Sequence, residues 1–336
     1  MKEVKSIVFF LIAVVVIGGV IEGILAFGPK SGDNTARTFE VKEGDSAAAV
    51  GARLEEKGFI REKNAFTFIC KTNKKASAIK PGVYDLRPNM TPGQIAEILA
   101  SGSTTRVSAT FPEGYTVVQI EDVLKRKGLK TEGLRDRSER YDFVAADYPE
   151  GYLFPDTYFF DRSAPGSRIR DDMLADFKAK VLDKYGDEIY ATANRKLGIT
   201  DKKEALKAVL TVASLVEREA RTEKDRPLVA SVIYNRLKKG MRLEIDATVS
   251  YVPGKSRGNK ARTSYSDLRN GSPYNTYRNK GLPPGPICNP GAKAIEAAVR
   301  PAGSDYLFYV ARKNGSHVFT RTFDEHKRAR KLYQGK

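Results

Sequence analysis

Glu217 is the residue whose type and setting best suit acid–base chemistry. It lies near the end of a stretch, 203–220, whose apolar residues recur at three- and four-residue spacing. That spacing predicts an amphipathic helix with one face in the core. Glu217 falls at the edge of the apolar stripe, where partial loss of hydration raises a carboxyl pKa and favours a general acid. The positive charges of Arg218 and Arg221 favour the carboxylate form instead. The alternative is that Glu217 is an ordinary charged residue at a helix end, which would have the same spacing.

The sequence contains few residues that could support histidine or cysteine chemistry. The 336 residues include two histidines, His317 and His326, and two cysteines, Cys70 and Cys288. These numbers argue against a histidine-based triad, a histidine-rich metal site, a disulfide framework and a CxxC motif. We therefore expect a reaction that needs neither a metal ion nor an organic cofactor.

The net charge of +17 predicts a polyanionic partner. Nucleic acid, an anionic membrane surface and an acidic polymer such as a cell wall all meet this description. The sequence has no helix-turn-helix, zinc-finger or aromatic-and-basic RNA-binding pattern, so nucleic acid is not the expected partner. A basic surface that serves only solubility is the alternative.

The N-terminal residues 7–27 are apolar except for Glu22. About 21 residues at 1.5 Å each would cross the roughly 30 Å hydrocarbon core of a bilayer. No small-residue cleavage site follows, which favours an uncleaved anchor over a signal peptide. We predict a cytoplasmic tail at 1–6, a single transmembrane helix at 7–27, a polar linker at 28–38, and the remaining residues outside the cytoplasm.

The rest of the chain predicts an α+β fold. A strand, a turn, a capped helix and a terminating glycine follow one another at 39–58, and a related pattern returns at 107–129, with a partial copy from Tyr84. These units resemble LysM-type glycan-binding modules, although a generic strand–helix packing unit has the same pattern. We predict a small LysM-like domain at 39–105 and a larger mixed α+β domain at 106–336.

Two segments of the larger domain are rich in aromatic residues and proline. Residues 148–162, which include Tyr152 and Asp156, form an irregular loop that could stack on sugars or pack inside the protein. Residues 272–291 form a second rigid loop. Around them we predict a helix from Asp225 to Gly240, a strand at 241–251 carrying Asp246, a short helix at 292–300, and a hairpin turning at Asn314-Gly315.

Six stretches, taken together and in this order, resemble the endolytic murein transglycosylases, which are single-pass bacterial membrane proteins. They are FPEGYT, EGYLFPDTY, ASLVEREA, VASVIYNRLKKGMRLEIDATVSY, SPYNTYRNKGLPPGPICNPG and YLFYVARKNGSHVFTRTFDEH, which are distributed along the chain from Phe111 towards the C-terminus. The resemblance implies that Glu217 is the catalytic residue. It also implies that Asp246, Tyr274, Asn275 and Thr276 line the same cleft. One departure is Glu244, where members of the family often carry glutamine.

The resemblance also implies the reaction. One glutamate protonates the leaving oxygen of a MurNAc–GlcNAc bond and then, as a carboxylate, deprotonates the muramic 6-hydroxyl, which attacks C1 and leaves a 1,6-anhydro end. Peptidoglycan strands would be the substrate, Tyr152 and Asp156 further substrate contacts, and the membrane and peptidoglycan synthases the other partners. Two alternatives remain: a hydrolase that pairs Glu217 with Asp246, and a wall-binding scaffold without catalysis.

Overall fold

The structure is a computed structural model that describes residues 23, 25–73, 79–102, 106–144, 148–254 and 267–335. The chain divides into two compact units. The first comprises residues 1–108 and 159–162, and the second comprises residues 109–158 and 163–336. Helices and strands occur in both units, so the expected mixed α+β fold is confirmed.

The first unit packs three helices with a β-sheet. Its elements are β1 (Arg37–Val41), α1 (Ala47–Glu56), α2 (Lys63–Thr72), β2 (Gly82–Leu86) and α3 (Pro92–Ser101). Strands β1 and β2 pair with Phe39 opposite Tyr84, and both rings are fully buried. Ser46 and Thr91 cap α1 and α3 through their side chains, as their positions in the sequence predict.

Two further strands complete the sheet of the first unit. These are β3 (Arg106–Thr110) and β4 (Thr157–Asp161), and the strand order is β1-β2-β3-β4. Residues 106–108 of β3 and 159–161 of β4 belong to the first unit, so the division between the units falls inside both strands.

The second unit is mainly helical. Its elements are α4 (Val117–Arg126), α5 (Gly166–Phe177), a π-helical turn (Lys178–Leu182), α6 (Asp183–Leu197), α7 (Lys202–Glu219), α8 (Arg226–Lys238), α9 (Asp246–Ser250), a 3-10 turn (Asp267–Arg269), α10 (Ala292–Val299), β5 (Phe308–Ala311), β6 (His317–Thr320) and α11 (Phe323–Gln334). The antiparallel β5–β6 pair confirms the predicted hairpin.

Helix α7 is the central element of the second unit. The side chain of Asp201 caps its start by accepting a hydrogen bond from the Glu204 N–H at 2.9 Å. The helix packs against α6, α8 and α10, and its residues from Thr211 to Val216 are all buried. This burial confirms the predicted helix and brings Glu217, in the last turn, to the edge of the core.

The structure does not support the predicted membrane anchor. No helix among the residues that the structure describes is long and apolar enough to cross a membrane. Residues 1–22 and 24, which include most of the span predicted at 7–27, lie outside the described residues. The predicted transmembrane helix and single-pass membrane localisation are therefore not supported.

The predicted strand at 241–251 is also wrong. Residues 241–245 lie outside any strand and lead into the short helix α9. The hydroxyl of Thr248 donates to the Ile245 carbonyl at 2.6 Å and lies 2.9 Å from the hydroxyl of Thr276. These contacts with the second loop outweigh the local strand preference of the β-branched residues.

Candidate active site

Glu217 is held by two hydrogen bonds from different segments. Its side chain is 8% exposed. The guanidinium Nη2 of Arg226 donates to Oε1 at 3.2 Å, and the backbone N–H of Gly291 donates to Oε2 at 3.0 Å. Because each carboxylate oxygen has two lone pairs, one hydrogen bond to each still leaves a place for a proton.

Burial raises the pKa of Glu217 above its ordinary value. The Gly291 N–H and the positive charge of Arg226 act in the opposite direction, while the negative charge of Glu113 raises the pKa further. Loss of hydration is the largest effect, so the protonated form persists to a higher pH than in an exposed glutamate. Such a group suits a general acid that must later act as a base.

Three separate segments converge on this carboxyl group. Arg226 is the first residue of α8, and its Nη2 also lies 3.8 Å from Oε2 of Glu113. Gly114 has a φ of 79°, a left-handed conformation that favours glycine, and an added Cβ would be in ordinary contact with Cγ of Glu217 at 3.6 Å. At Gly291 an added Cβ would overlap the Glu113 side chain. Gly291 therefore allows a close approach of the backbone to the charged cluster.

Asp246 lies in a neighbouring cavity of about 500 Å³, which Glu219 also lines and whose lining does not include Glu217. The hydroxyl of Tyr277 donates to Oδ1 of Asp246 at 2.5 Å, and that of Tyr309 donates to Oε2 of Glu219 at 2.9 Å. Burial raises the pKa of Glu219, and the charge of Asp246 adds to this effect. Two tyrosine–carboxylate pairs therefore face one polar cavity.

Glu244 lies at the edge of this cavity with a strained backbone. Its φ is +53°, a positive value that, among the described residues, no other non-glycine residue adopts. Its N–H donates to the Thr276 carbonyl at 3.3 Å, and its carboxylate lies 3.4 Å from Nη1 of Arg236. Local strain of this kind is common at functional sites. Glu244 is thus part of the cavity wall.

The three consecutive residues Tyr274, Asn275 and Thr276 are placed differently from one another. Tyr274 is half-buried, and its ring centroid lies 4.8 Å from that of Tyr251. Asn275 is fully buried, and its amide nitrogen donates to the carbonyls of Leu268 and Asn270. Thr276 is 2% exposed. Asn275 and Thr276 therefore bond within the protein, and their contact with a substrate stays a prediction.

Replacing Thr276 by valine tests its internal role. The hydroxyl oxygen of Thr276 accepts a hydrogen bond from the Ile245 N–H at 2.9 Å. Valine keeps the shape but leaves this buried donor unsatisfied, so we expect the free energy of unfolding to fall by about 1–3 kcal/mol. Urea denaturation measures the change. Valine at the exposed Thr200 is the control, and equal effects of the two substitutions would contradict this role.

The aromatic segment at 148–162, predicted as a loop, ends in strand β4 and packs inward at Tyr152. None of this residue's surface is exposed, and its ring centroid lies 5.6 Å from that of Phe177. The ring has no face left for stacking on a sugar, so of the two interpretations of this loop the buried one holds at Tyr152. Asp156 lies 2.5 Å from Nζ of Lys180, which lowers the pKa of the carboxyl group. A sugar contact of Asp156 stays a prediction.

Glu150 is a buried carboxyl group that we did not predict from the sequence. It is 4% exposed. The Val117 N–H at 3.0 Å and the Asn289 amide at 3.1 Å donate to its Oε1, and the Tyr251 hydroxyl donates to Oε2 at 3.1 Å. We also did not predict from the sequence that Arg226, Gly291 and Asn289 belong to the site. These residues lie within the motifs, which could have indicated them. Their wide separation along the chain gives no sign, however, that they meet in the fold.

The stability of the protein should depend on the ionisation of Glu150. Burial raises its pKa from 4.5 to about 8. Between these values the folded protein retains a proton that the unfolded chain has lost. The contribution of this group to the free energy of unfolding is therefore full below the lower value and decreases as the pH rises to the upper one. In Glu150→Gln we expect the free energy of unfolding to fall less over the same pH range, as measured by urea denaturation. Glutamine at the exposed Glu139 is the control, and an unchanged pH dependence in Glu150→Gln would contradict the raised pKa.

The described residues show no group of three or more histidine, cysteine, aspartate or glutamate side chains that could hold a metal ion. The carboxylate of Glu217 is paired with Arg226, and that of Asp246 is paired with Tyr277. The chemistry that this arrangement offers is proton transfer by a partly desolvated carboxyl group.

Comparison with known proteins identifies the family. Residues 39–332 match the YceG-like family. An endolytic murein transglycosylase of Bacillus subtilis strain 168 is 36% identical over 320 residues, which cover 89% of this chain and 85% of that protein. One from Streptococcus pneumoniae D39 is 32% identical over 308 residues, 82% of this chain, but this chain spans only 54% of its length. The crystal structure of a YceG-like protein from Listeria monocytogenes has a TM-score of 0.57 and 34% identity, covering 88% of this chain and 99% of that one.

The family match spans most of the chain, from residue 39 to residue 332. The chain belongs to the YceG-like family. The resemblance to the endolytic murein transglycosylases that its motifs indicate is confirmed.

Proposed function

We propose that this protein is an endolytic lytic transglycosylase that cleaves MurNAc–GlcNAc bonds in peptidoglycan and leaves 1,6-anhydro-MurNAc ends. Its relatives named above are endolytic murein transglycosylases. The observation that carries the mechanism is the Glu217 carboxyl group, which is desolvated enough for its pKa to rise yet remains bonded to Arg226 and the Gly291 N–H. Cleavage of nascent strands would end their elongation.

Glu217 acts first as an acid in this proposal. Its proton passes to the glycosidic oxygen as the bond to C1 breaks, and the carboxyl group becomes a carboxylate. Arg226 and the Gly291 N–H then stabilise the new negative charge through hydrogen bonds whose strength grows with that charge. The same two contacts keep the carboxylate oriented between the two steps.

Glu217 acts next as a base. It removes the proton from the muramic 6-hydroxyl while the hydroxyl oxygen bonds to C1 of the same sugar, so the glutamate returns to its protonated form and no water enters. An attacking group within the same sugar gains from a high effective concentration. This advantage lessens the need for a second catalytic carboxylate.

Asp246, Tyr274 and Asp156 are the proposed substrate contacts that keep exposed surface in this structure. Asn275 and Thr276, which are buried, support the loop that carries Tyr274. We also keep the proposal that residues 39–105 form a LysM-like glycan-binding domain and residues 106–336 the catalytic domain. The independent core around Phe39, Leu54 and Tyr84 supports a separately packed first domain. Peptidoglycan synthases remain the proposed protein partners.

Mass analysis of the products tests this function. The purified protein is incubated with peptidoglycan strands, and the new ends are identified. Anhydro-muramic ends in internal fragments support the transglycosylase. Reducing ends would favour the hydrolase, and the absence of cleavage would favour the scaffold. Release of small units from strand ends alone would contradict endolytic cleavage.

A further inference from the structure

Asn289 is a buried junction between three segments near the catalytic glutamate. It is 1% exposed. Its Oδ1 accepts hydrogen bonds from the N–H groups of Gly151 at 2.9 Å and Leu153 at 3.0 Å. Its Nδ2 donates to the Tyr115 carbonyl at 2.9 Å and to Glu150 Oε1 at 3.1 Å. The side-chain amide therefore has both its donor and its acceptor groups in use.

These partners determine the orientation of the amide and the state of Glu150. Two N–H donors point at one end of the Asn289 amide and two oxygen acceptors at the other, so the amide fits in one orientation. Oε1 of Glu150 must then accept hydrogen bonds, and any proton on this residue belongs on Oε2 beside Tyr251. The tyrosine hydroxyl can either donate or accept, so the network holds in both protonation states.

The loop that contains Asn289 delivers the N–H that binds Glu217. Gly291, two residues further on, donates its N–H to Oε2 of Glu217. The loop is attached to α7 where the Ile287 N–H donates to the Ser214 hydroxyl at 3.1 Å, and the Asn289 carbonyl accepts from the Gly114 N–H at 2.9 Å. The distance from Gly291 to Glu217 thus depends on how firmly Asn289 is held.

We propose that Glu150 and Asn289 are positioning residues that hold the Gly291 N–H against the catalytic carboxyl group of Glu217. They contact neither the substrate nor the reacting atoms. Glu150 fixes one end of the Asn289 amide, Asn289 fixes the loop, and the loop supplies a hydrogen bond that favours the carboxylate form of Glu217. This inference rests on the proposed acid–base role of Glu217.

The charged neighbours of the two glutamates agree with an action through the loop. The negative charge of Glu150 raises the pKa of Tyr148, Tyr251, Tyr274 and Cys288, and that of Glu217 also raises the pKa of Cys288. The charges that act most strongly on Glu217 are those of Arg226, Glu113 and Arg218. We therefore expect Glu150 to influence Glu217 through the position of Gly291, and not by direct repulsion.

The test measures the pH profile of kcat on peptidoglycan strands. Glu150→Ala should lower kcat by about tenfold with KM little changed, because the loss concerns the transition state and not substrate binding. The loosened Gly291 hydrogen bond should also raise the pKa of Glu217 and move the alkaline limb of the profile to higher pH. Glu150→Gln, which retains an acceptor for Val117 and Asn289, should restore kcat to within about threefold.

A matched control separates positioning from general destabilisation. The hydroxyl of Thr192, 2% exposed, donates to the Val299 carbonyl at 2.8 Å elsewhere in the same unit. Thr192→Val should lower the melting temperature without moving the alkaline limb. If Glu150→Ala behaves like this control, or if its loss is confined to KM, the proposal is wrong.

A second variant covers the case in which Glu150→Ala does not fold. Tyr251→Phe removes only the hydroxyl on Oε2 of Glu150, and we expect a smaller fall in kcat with the same direction of limb shift. An unchanged kcat and limb in Tyr251→Phe would then overturn the proposal. Wild-type protein that produces no anhydro ends would instead overturn the proposed function, so the two failures are distinguishable.

Discussion

Replacing Glu217 by glutamine should remove nearly all cleavage of peptidoglycan strands. The amide has almost the same shape, but it can neither give a proton to the leaving oxygen nor take one from the 6-hydroxyl. Since a positioned acid or base contributes about 10²–10⁴-fold and this residue serves both steps, we expect kcat to fall by about 10³-fold or more. Release of anhydro-muramic ends per unit time measures this loss.

The control for this experiment is glutamine at Glu204, an exposed residue of the first turn of the same helix. The substitution is identical, and we expect its kcat to stay within about twofold of wild type. Binding to strands should survive in Glu217→Gln, because the remaining cleft is unchanged. A Glu217→Gln protein that still forms anhydro ends at the wild-type rate would exclude Glu217 as the acid and base.

Replacing Arg226 by methionine should change both the rate and its pH dependence. The guanidinium lowers the pKa of Glu217, against the larger effect of burial. Without it the carboxyl group holds its proton more strongly, so the alkaline limb of the kcat profile should move up by about one pH unit or more. The carboxylate formed in the first step also loses its charged hydrogen bond, and we expect kcat at the optimum to fall by about 10–100-fold.

The direction of the limb shift is the informative part of this result. Removal of a positive neighbour disfavours the negative form, so a shift to lower pH would contradict the assignment of the limb to Glu217. Arg300→Met is the matched control, because it removes an exposed arginine that binds Glu188 with a distance of 2.6 Å between Nη2 and Oε1. Its kcat profile should keep the wild-type limb. Lysine at position 226 is expected to restore the limb more than kcat, since it supplies charge without the planar guanidinium.

The sequence by itself determines the elements that carry the site. The apolar spacing of 203–220 predicts α7, and the position of Glu217 at the edge of its stripe predicts a partly buried carboxyl group, as the structure has it. Capping residues such as Ser46 and Thr91, and the Asn314-Gly315 turn, also act as the sequence predicts. These features depend on residues only a few positions apart, so their physical cause is contained in the local sequence.

Only the tertiary structure decides what surrounds that carboxyl group. The hydrogen bond from Gly291 to Glu217 joins residues 74 positions apart, and the one from Asn289 to Glu150 spans 139 positions. The same is true of the burial of Tyr152 and of the helix at 246–250, where a strand was expected. Packing and hydrogen bonds between distant segments override local preference at these places, because a buried polar group must find its partner wherever the fold supplies one.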